Sequence, residues 1–355
     1  MSEYRIASDL GPLEPLLADP AVSEIFVDAP DRIAIVRAGA LVDADARFDS
    51  AQHLEQVIRA IAEPLGRRFD ESHPLLEARL PDGSRITAVG LPIAIDGPAL
   101  VLSKARKNTL GADDLLRLGA WSEPMLGLLR GGVSGRASIL VSGEAGAGKT
   151  TILNALCALL PAEERIITIE QAGELTLRQR RVVRLETRPA NIEGRGAVTQ
   201  RDLVLQALRM FPERLVVSEL SGGEAWPLLQ AINGGHYGCM ASIQASSPRD
   251  ALARIELLAV SSDPGVPLQV VREQVAGALG LVLQVARCAD GVRRVTQIVE
   301  VQRIERDVIV LKDLFVYAEG VGGARQFRAT GELPAMLGLL RQRGVDLPLD
   351  LFRAG

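Results

Sequence analysis

The stretch Gly143-Glu144-Ala145-Gly146-Ala147-Gly148-Lys149-Thr150 fits the pattern G-x-x-x-x-G-K-[S/T]. It follows the apolar run Ile139-Leu140-Val141 and leads into Thr150-Thr151-Ile152-Leu153, which has helical character. Glycines let the backbone turn tightly and aim its N–H groups at phosphate oxygens, and the helix N-terminus adds a partial positive charge. The alternative is a glycine-rich turn with an exposed lysine. The strand–loop–helix context instead predicts a phosphate-binding loop.

This pattern assigns a role to each polar group of the loop. We expect Lys149 to reach the β- and γ-phosphates of a nucleotide and Thr150 to ligate Mg²⁺. No Asn-Lys-x-Asp stretch, which would indicate GTP, occurs in the chain, so ATP is the expected nucleotide. The predicted nucleotide-binding residues of the loop are Gly143, Glu144, Ala145, Gly146, Ala147, Gly148, Lys149, Thr150 and Thr151.

Two apolar runs after the loop each end in a glutamate. Arg214-Leu215-Val216-Val217-Ser218-Glu219 has the form of a Walker B strand, and Arg165-Ile166-Ile167-Thr168-Ile169-Glu170 is a second run of this kind. We expect Glu219 to serve the metal together with Thr150, and Glu170 to position the attacking water. A solvated cap residue is the alternative for either glutamate. Two such carboxylates favour hydrolysis of the nucleotide over binding alone.

Short β-branched runs alternate with helical stretches from residue 137 onward, which predicts a parallel sheet covered on both faces. Residues 1–104 mix short helical and strand patterns and predict a smaller α+β domain, followed by a linker over 105–122 and the main domain over 123–355. The strands predicted in the main domain are 138–141, 165–169, 182–185, 214–218 and 240–243, with partly antiparallel additions at 281–285, 294–300 and 307–312.

Length and charge limit the function classes. With 355 residues the chain is too long for one ordinary domain, and its net charge of −4 argues against a broad positive surface for nucleic acid. Three widely spaced cysteines support neither a disulfide framework nor a zinc site and indicate a reducing compartment. No apolar run approaches the roughly 18 residues needed to cross a bilayer. We therefore predict a cytoplasmic protein that meets a membrane only through partners.

Several further segments resemble the CpaF/TadA ATPases of the type II/IV secretion superfamily, which serve tight-adherence (Tad) pilus assembly. The resemblance covers most of the chain. The matching segments are Ile169-Glu170, Leu185-Glu186-Thr187-Arg188-Pro189, Asn191-Ile192-Glu193-Gly194, Thr199-Gln200-Arg201-Asp202-Leu203, Gly234-Gly235-His236, Ser247-Pro248-Arg249-Asp250-Ala251-Leu252, Leu80-Pro81-Asp82-Gly83-Ser84-Arg85, Asp96-Gly97-Pro98-Ala99-Leu100 and Phe327-Arg328-Ala329-Thr330-Gly331.

The resemblance implies a fold, an assembly and further site residues. It implies a RecA-like P-loop NTPase domain preceded by a PAS-like α+β domain, and a homohexameric ring that acts on inner-membrane platform proteins. His236 would sense the γ-phosphate, although a core or turn histidine is the alternative. Arg85 and Arg201 are individually ordinary solvated arginines, but their predicted loop positions and guanidinium geometry suit a phosphate that is contacted in trans, across a subunit interface. The expected catalytic set is Lys149, Glu170, Glu219 and His236.

Four polar positions depart from the pattern of this family. Gln171 replaces an aspartate, Ser221 and Ser103 each replace an arginine, and Gln244 replaces a histidine. These changes fall in motifs that sense or polarise the γ-phosphate. They leave two hypotheses open, an ATP-hydrolysing motor and a hydrolytically weak paralogue that acts as a scaffold or regulator in the same apparatus. A DNA motor is disfavoured by the net charge.

Overall fold

The structure, a computed structural model, describes residues 10–37, 39–80, 82–104, 110–190, 195–319 and 325–354. The matching segment 191–194, Pro81 and residues 105–109 of the predicted linker lie outside these ranges. The chain divides into two units, Met1–Asn108 and Thr109–Gly355.

Over its described residues, the first unit consists of an antiparallel sheet and two α-helices. Strand order is β3-β2-β1-β6-β5-β4, and helix α2 packs its apolar side on the sheet, with Leu54, Ile58 and Ile61 buried. This helix begins after Ser50, whose Oγ accepts a hydrogen bond from the N–H of His53 at 3.1 Å. Its elements are α1 (Leu13–Ala18), β1 (Val22–Ala29), β2 (Arg32–Arg37), β3 (Ala40–Asp43), α2 (Ala51–Ala62), β4 (Leu75–Arg79), β5 (Arg85–Val89) and β6 (Ala99–Ser103).

The second unit is built on one large sheet in the order β15-β14-β13-β12-β7-β11-β10-β8-β9. The six strands β12, β7, β11, β10, β8 and β9, which are successive neighbours in this order, pair in parallel. Strands β13, β14 and β15 extend the sheet beyond β12 in antiparallel pairing. The strands are β7 (Ile139–Gly143), β8 (Arg165–Glu170), β9 (Arg181–Glu186), β10 (Arg214–Leu220), β11 (Met240–Gln244), β12 (Leu281–Arg287), β13 (Arg293–Glu305), β14 (Val308–Glu319) and β15 (Arg325–Ala329).

Helices cover both faces of this sheet, as the doubly apolar strands predict. On β7, Ile139 and Val141 join the hydrophobic core on one face of the sheet, and Leu140 joins a second core on the opposite face. The predicted fold class, an α/β domain preceded by a smaller α+β domain, is confirmed. The helices are α3 (Ala112–Arg117), α4 (Glu123–Ser134), α5 (Lys149–Cys157), α6 (Gln200–Leu208), α7 (Ala225–Asn233), α8 (Pro248–Ser262), α9 (Leu268–Ala278) and α10 (Leu337–Gln342).

Part of the predicted linker belongs to the core of the second unit. Helix α3 buries Ala112 and Leu115, and Trp121 is 1 % exposed and donates its indole N–H to the carbonyl of Ala112 at 3.1 Å. A tryptophan that is both buried and hydrogen-bonded fixes the residues around it. Residues 110–121 are therefore an ordered entry into the second unit.

A buried ion pair fixes the edge of the sheet where β10 begins. The side chain of Arg214 has no exposed surface, and its Nε donates to Oε2 of Glu164 at 2.6 Å. Its Nη2 also donates to the carbonyl of Val133 at 2.9 Å, and Arg136 reaches Glu164 at 2.8 Å. A side chain at Gly238 would overlap the guanidinium, since a Cβ there would lie 1.9 Å from Nη1 of Arg214. This cluster joins three loops at one point.

The three cysteines differ in their surroundings. Cys157 and Cys239 are buried, and burial raises the pKa of each thiol to about 12. Cys288 is half-buried in the turn between β12 and β13. Over the described ranges, every helix is too short or too polar to cross a bilayer.

Candidate active site

The site lies where four parallel strands end. Strands β7, β11, β10 and β8 are successive neighbours, so their carboxyl ends meet at one edge of the sheet. Register fixes this alignment, because Gly143 at the end of β7 pairs with Gln244 at the end of β11. Ligands of open α/β sheets bind outside the carboxyl ends of the strands. The predicted phosphate loop leaves this same edge and leads into α5.

Two glycines give the loop its shape. Gly146 has φ +73° and Gly148 has φ +102°, values that residues with side chains rarely adopt. Gly143 needs its missing side chain for another reason, since a Cβ there would lie 2.5 Å from the carbonyl oxygen of Val285 on β12. The motif glycines are thus required both by backbone conformation and by close strand packing.

Lys149 connects the loop to the end of β10. Its side chain is 9 % exposed, and its Nζ donates to the carbonyl of Glu144 at 3.2 Å. The same Nζ lies 3.7 Å from Oε1 of Glu219, whose side chain is 42 % exposed. An ammonium held between a turning loop and a partly exposed carboxylate suits a phosphate group with its metal ion, because the loop adds N–H donors and Thr150 adds a hydroxyl. The residues present therefore fit a magnesium–nucleotide complex.

Helix α6 holds the end of β10 in place. Gln200, which is 5 % exposed, donates from Nε2 to the carbonyl of Glu219 at 3.1 Å. Arg201 donates from Nη1 to the carbonyl of Gly223 at 3.2 Å, in the turn that follows β10. The structure thus brings Arg201 to the neighbourhood of Glu219. The sequence analysis included Gln200 in a matching segment but assigned it no role, since a single glutamine at a helix start does not indicate which backbone group it will bind.

Two of the four departures contact each other. Nε2 of Gln171 donates to Oγ of Ser221 at 2.7 Å, and Oγ of Ser221 lies 3.2 Å from Oε1 of Gln200. Nε2 of Gln171 also reaches Oε1 of Gln200 at 3.2 Å. Where the family pattern places an aspartate and an arginine, this chain therefore has a neutral network among three side chains. Gln244, the third departure, is exposed and pairs with Gly143 at the start of the loop.

Glu170 occupies a different environment from Glu219. It is 1 % exposed and accepts hydrogen bonds from the N–H of Leu175 at 2.7 Å and from Oγ1 of Thr168 at 3.1 Å. Burial raises its pKa, against the lowering effects of these bonds and of Arg184, which lies 3.6 Å away. β8 is also three strands from β7 in the sheet, or about 14 Å. Its carboxylate is directed into the protein and holds the loop after β8.

His236 does not join this site within one subunit. It precedes β11, and the first residue of that strand, Met240, pairs with Ile139 at the start of β7. The histidine therefore lies at the amino ends of the strands, separated from the phosphate loop by the length of β7, about 16 Å. The order of residues along the chain already places the histidine before the predicted strand 240–243, whereas the phosphate loop follows the predicted strand 138–141.

Arg85 and Ser103 lie in the first unit. They are directly paired across β5 and β6, so the predicted phosphate-contacting arginine adjoins the position where the family pattern has another arginine. A further arginine, Arg293, starts β13 and reaches the phosphate loop in the second unit. No motif includes this residue, and the sequence analysis did not identify it.

The model of the family described as "Type II/IV secretion system protein" matches residues 6–322. The chain belongs to this family. One relative of this chain is a Mycobacterium tuberculosis protein named as a putative conjugal transfer protein. The two are 35 % identical over 301 residues, which is 83 % of this chain and 85 % of that protein. The type IV secretion system protein PtlH of Bordetella pertussis is 33 % identical over 313 residues, 79 % of this chain and 91 % of PtlH.

A solved structure of the pilus retraction motor PilT with bound ADP shares the fold. It is 16 % identical, with a TM-score of 0.56 over 95 % of this chain and 88 % of that one. At this identity the similarity shows a shared fold and nothing about the roles of individual residues.

Proposed function

We propose that this member of the type II/IV secretion family hydrolyses ATP to power a pilus-assembly or secretion apparatus, as the resemblance to the CpaF/TadA ATPases implies. The observation that carries the proposal is the placement of Lys149 in a glycine-shaped loop, 3.7 Å from the carboxylate of Glu219. Phosphoryl transfer in P-loop proteins uses a loop lysine that contacts the phosphates and a carboxylate at the end of a nearby strand.

In this mechanism the protein acts through position and charge. Loop N–H groups and Lys149 bind the β- and γ-phosphates and stabilise negative charge as the γ-phosphoryl group leaves ADP. Glu219 accepts a hydrogen bond from the attacking water and orients it. Thr150 and Glu219 would hold Mg²⁺, which neutralises phosphate charge when it is bound. Glu170 is assigned a positioning role, because its buried carboxylate holds the loop that starts at Gln171.

We further propose the assembly that the resemblance implies. Subunits form a homohexamer in the cytoplasm and meet platform proteins at the inner membrane, with no direct nucleic-acid partner. Arg85 from the first unit and Arg201 from the second would each contact a phosphate bound by a neighbouring subunit.

The test compares phosphate release and ATP affinity of the assembled wild type with those of Lys149→Ala. Loss of a charge-assisted contact of about 1.5–3 kcal/mol should weaken ATP affinity roughly 10- to 100-fold. Lys312→Ala is the matched control. Lys312 lies on β14, away from the loop, and its Nζ is 3.2 Å from Oε2 of Glu332. Equal ATP affinity in wild type and Lys149→Ala would refute the phosphate-site assignment.

A second candidate function is a hydrolytically weak subunit that binds ATP as a scaffold or regulator. The neutral network of Gln171, Ser221 and Gln200 supports it, because neutral hydrogen bonds are about half as strong as charge-assisted ones. The same experiment separates the two functions. A wild-type hexamer that binds ATP tightly but releases phosphate no faster than Lys149→Ala is the weak paralogue.

A further inference from the structure

Arg293 contacts the phosphate loop from a strand that is distant in sequence. Its Nε donates to the carbonyl of Gly146 at 2.9 Å. Its Cδ lies 3.0 Å from the position that a Cβ on Gly148 would occupy. Since both glycines have positive φ, the arginine packs against the two points where the loop backbone turns most sharply.

This contact restrains the part of the loop that must face phosphate. Because a peptide unit is planar, a hydrogen bond to the carbonyl of Gly146 fixes the orientation of the whole peptide that joins Gly146 to Ala147. A loop held in one conformation loses less entropy when a ligand binds, and affinity increases accordingly. An arginine can make this bond and keep its positive charge beside the phosphates.

A second arginine strengthens the charge at this place. Arg287 on β12 is directly opposite Arg293 on β13, and both side chains are exposed. Two arginines at directly opposite positions bring two positive charges close together in the sheet. Two residues before Arg287, Val285 pairs with Gly143, so this pair of arginines borders the junction of β7 and the loop.

We propose that Arg293 is a positioning residue of the nucleotide site, holding the phosphate loop in its binding conformation and adding, with Arg287, to the affinity for nucleoside di- and triphosphates. The inference rests on the proposed function, since it requires that the loop bind a nucleotide. It adds a residue from the antiparallel extension of the sheet to a site otherwise made from the parallel strands.

The chain supplies a matched control in the next residue. Arg294 is bonded to Asp290 at 2.7 Å and lies over the ring of Tyr317, with its Cζ 4.9 Å from the ring centroid. Successive residues of a strand point to opposite faces, so Arg294 has the same chemistry without the contact to the loop.

The experiment measures dissociation constants of Mg²⁺-ATP and Mg²⁺-ADP by titration calorimetry on the full chain. Arg293→Ala should weaken both nucleotides about tenfold, because the loop contacts phosphates that ATP and ADP share. Arg293→Lys, which keeps the charge, should recover most of the affinity, and Arg294→Ala should stay within about twofold of wild type. In steady-state hydrolysis, the KM for ATP of Arg293→Ala should rise while its kcat changes less. General damage to the fold would lower kcat as well.

Three results overturn the inference. They are wild-type affinity in Arg293→Ala, a loss confined to ATP, which would mean direct contact with the γ-phosphate, and equal losses in Arg293→Ala and Arg294→Ala. If Arg293→Ala does not fold, Arg293→Gln replaces it, with the same expected weakening of both nucleotides. Lys149→Ala runs in parallel, because unchanged affinity in that variant would refute the proposed function rather than the role of Arg293.

Discussion

Replacing Glu219 with glutamine should lower phosphate release about 10²- to 10³-fold while ATP affinity stays within a few-fold of wild type. Glutamine keeps the size of the side chain and loses its charge, so it no longer orients the attacking water as strongly or helps to hold the metal ion. Binding persists because Lys149 and the loop N–H groups remain. Lys149 also loses the carboxylate 3.7 Å away that competes for its charge. Single-turnover phosphate release, with the protein in excess over ATP and at a concentration that saturates binding, measures the effect.

Glu170→Gln is the informative comparison for this experiment. Its carboxylate is buried against Thr168 and the N–H of Leu175, and a glutamine retains one oxygen to accept from them. We expect a loss of turnover within about tenfold, because the substitution disturbs a supporting loop. If Glu170→Gln abolishes turnover and Glu219→Gln does not, the roles of the two glutamates must be exchanged.

Replacing Arg214 with alanine should cost about 3–5 kcal/mol of unfolding free energy in the second unit. The substitution leaves Glu164 with Arg136 as its remaining partner and leaves the carbonyl of Val133 without the Nη2 donor it now has. It also removes a side chain that has no exposed surface and so opens a cavity. Urea-induced unfolding, followed by fluorescence of the buried tryptophans, measures the loss.

Arg341→Ala is the control for this prediction. Arg341 also pairs with a carboxylate at 2.9 Å, that of Asp346, but the two side chains are 55 % and 77 % exposed. An exposed pair contributes about 0–1 kcal/mol, so the control should unfold almost as wild type does. Similar small losses in both variants would mean that the Arg214 cluster does not determine stability.

The architecture could be predicted because its signals are local. A strand, a glycine-rich loop and a helix within about twenty residues identify the phosphate site, and doubly apolar runs identify a parallel sheet. The predicted strands at 138–141, 165–169 and 214–218 are confirmed within a few residues. Local patterns also indicated the antiparallel additions, since the predicted strands at 281–285, 294–300 and 307–312 lie within or overlap β12, β13 and β14.

Contacts between distant segments could not be predicted from the same patterns. The hydrogen bond between Gln171 and Ser221 spans 50 residues, and that between Arg293 and Gly146 spans 147. His236 and Gln244 were both assigned to the γ-phosphate from the family pattern, although His236 precedes β11 and Gln244 ends it, so the two lie at opposite ends of the strand. The burial of Glu170 depends on the loop that folds over it, and a strand-end glutamate has the same sequence signal in either environment.

The cysteines give this chain a natural position for a reporter group. A thiol reagent reacts with the thiolate, so the rate of labelling follows the ionised fraction of each cysteine. With a pKa of about 12, Cys157 and Cys239 are each ionised in roughly one molecule in ten thousand at pH 8. Cys288 is the half-buried thiol, in the turn that joins Arg287 to Arg293. A maleimide dye should therefore add once per native chain, at Cys288, as intact mass would reveal. Its fluorescence would then follow nucleotide exchange in real time without any engineered substitution.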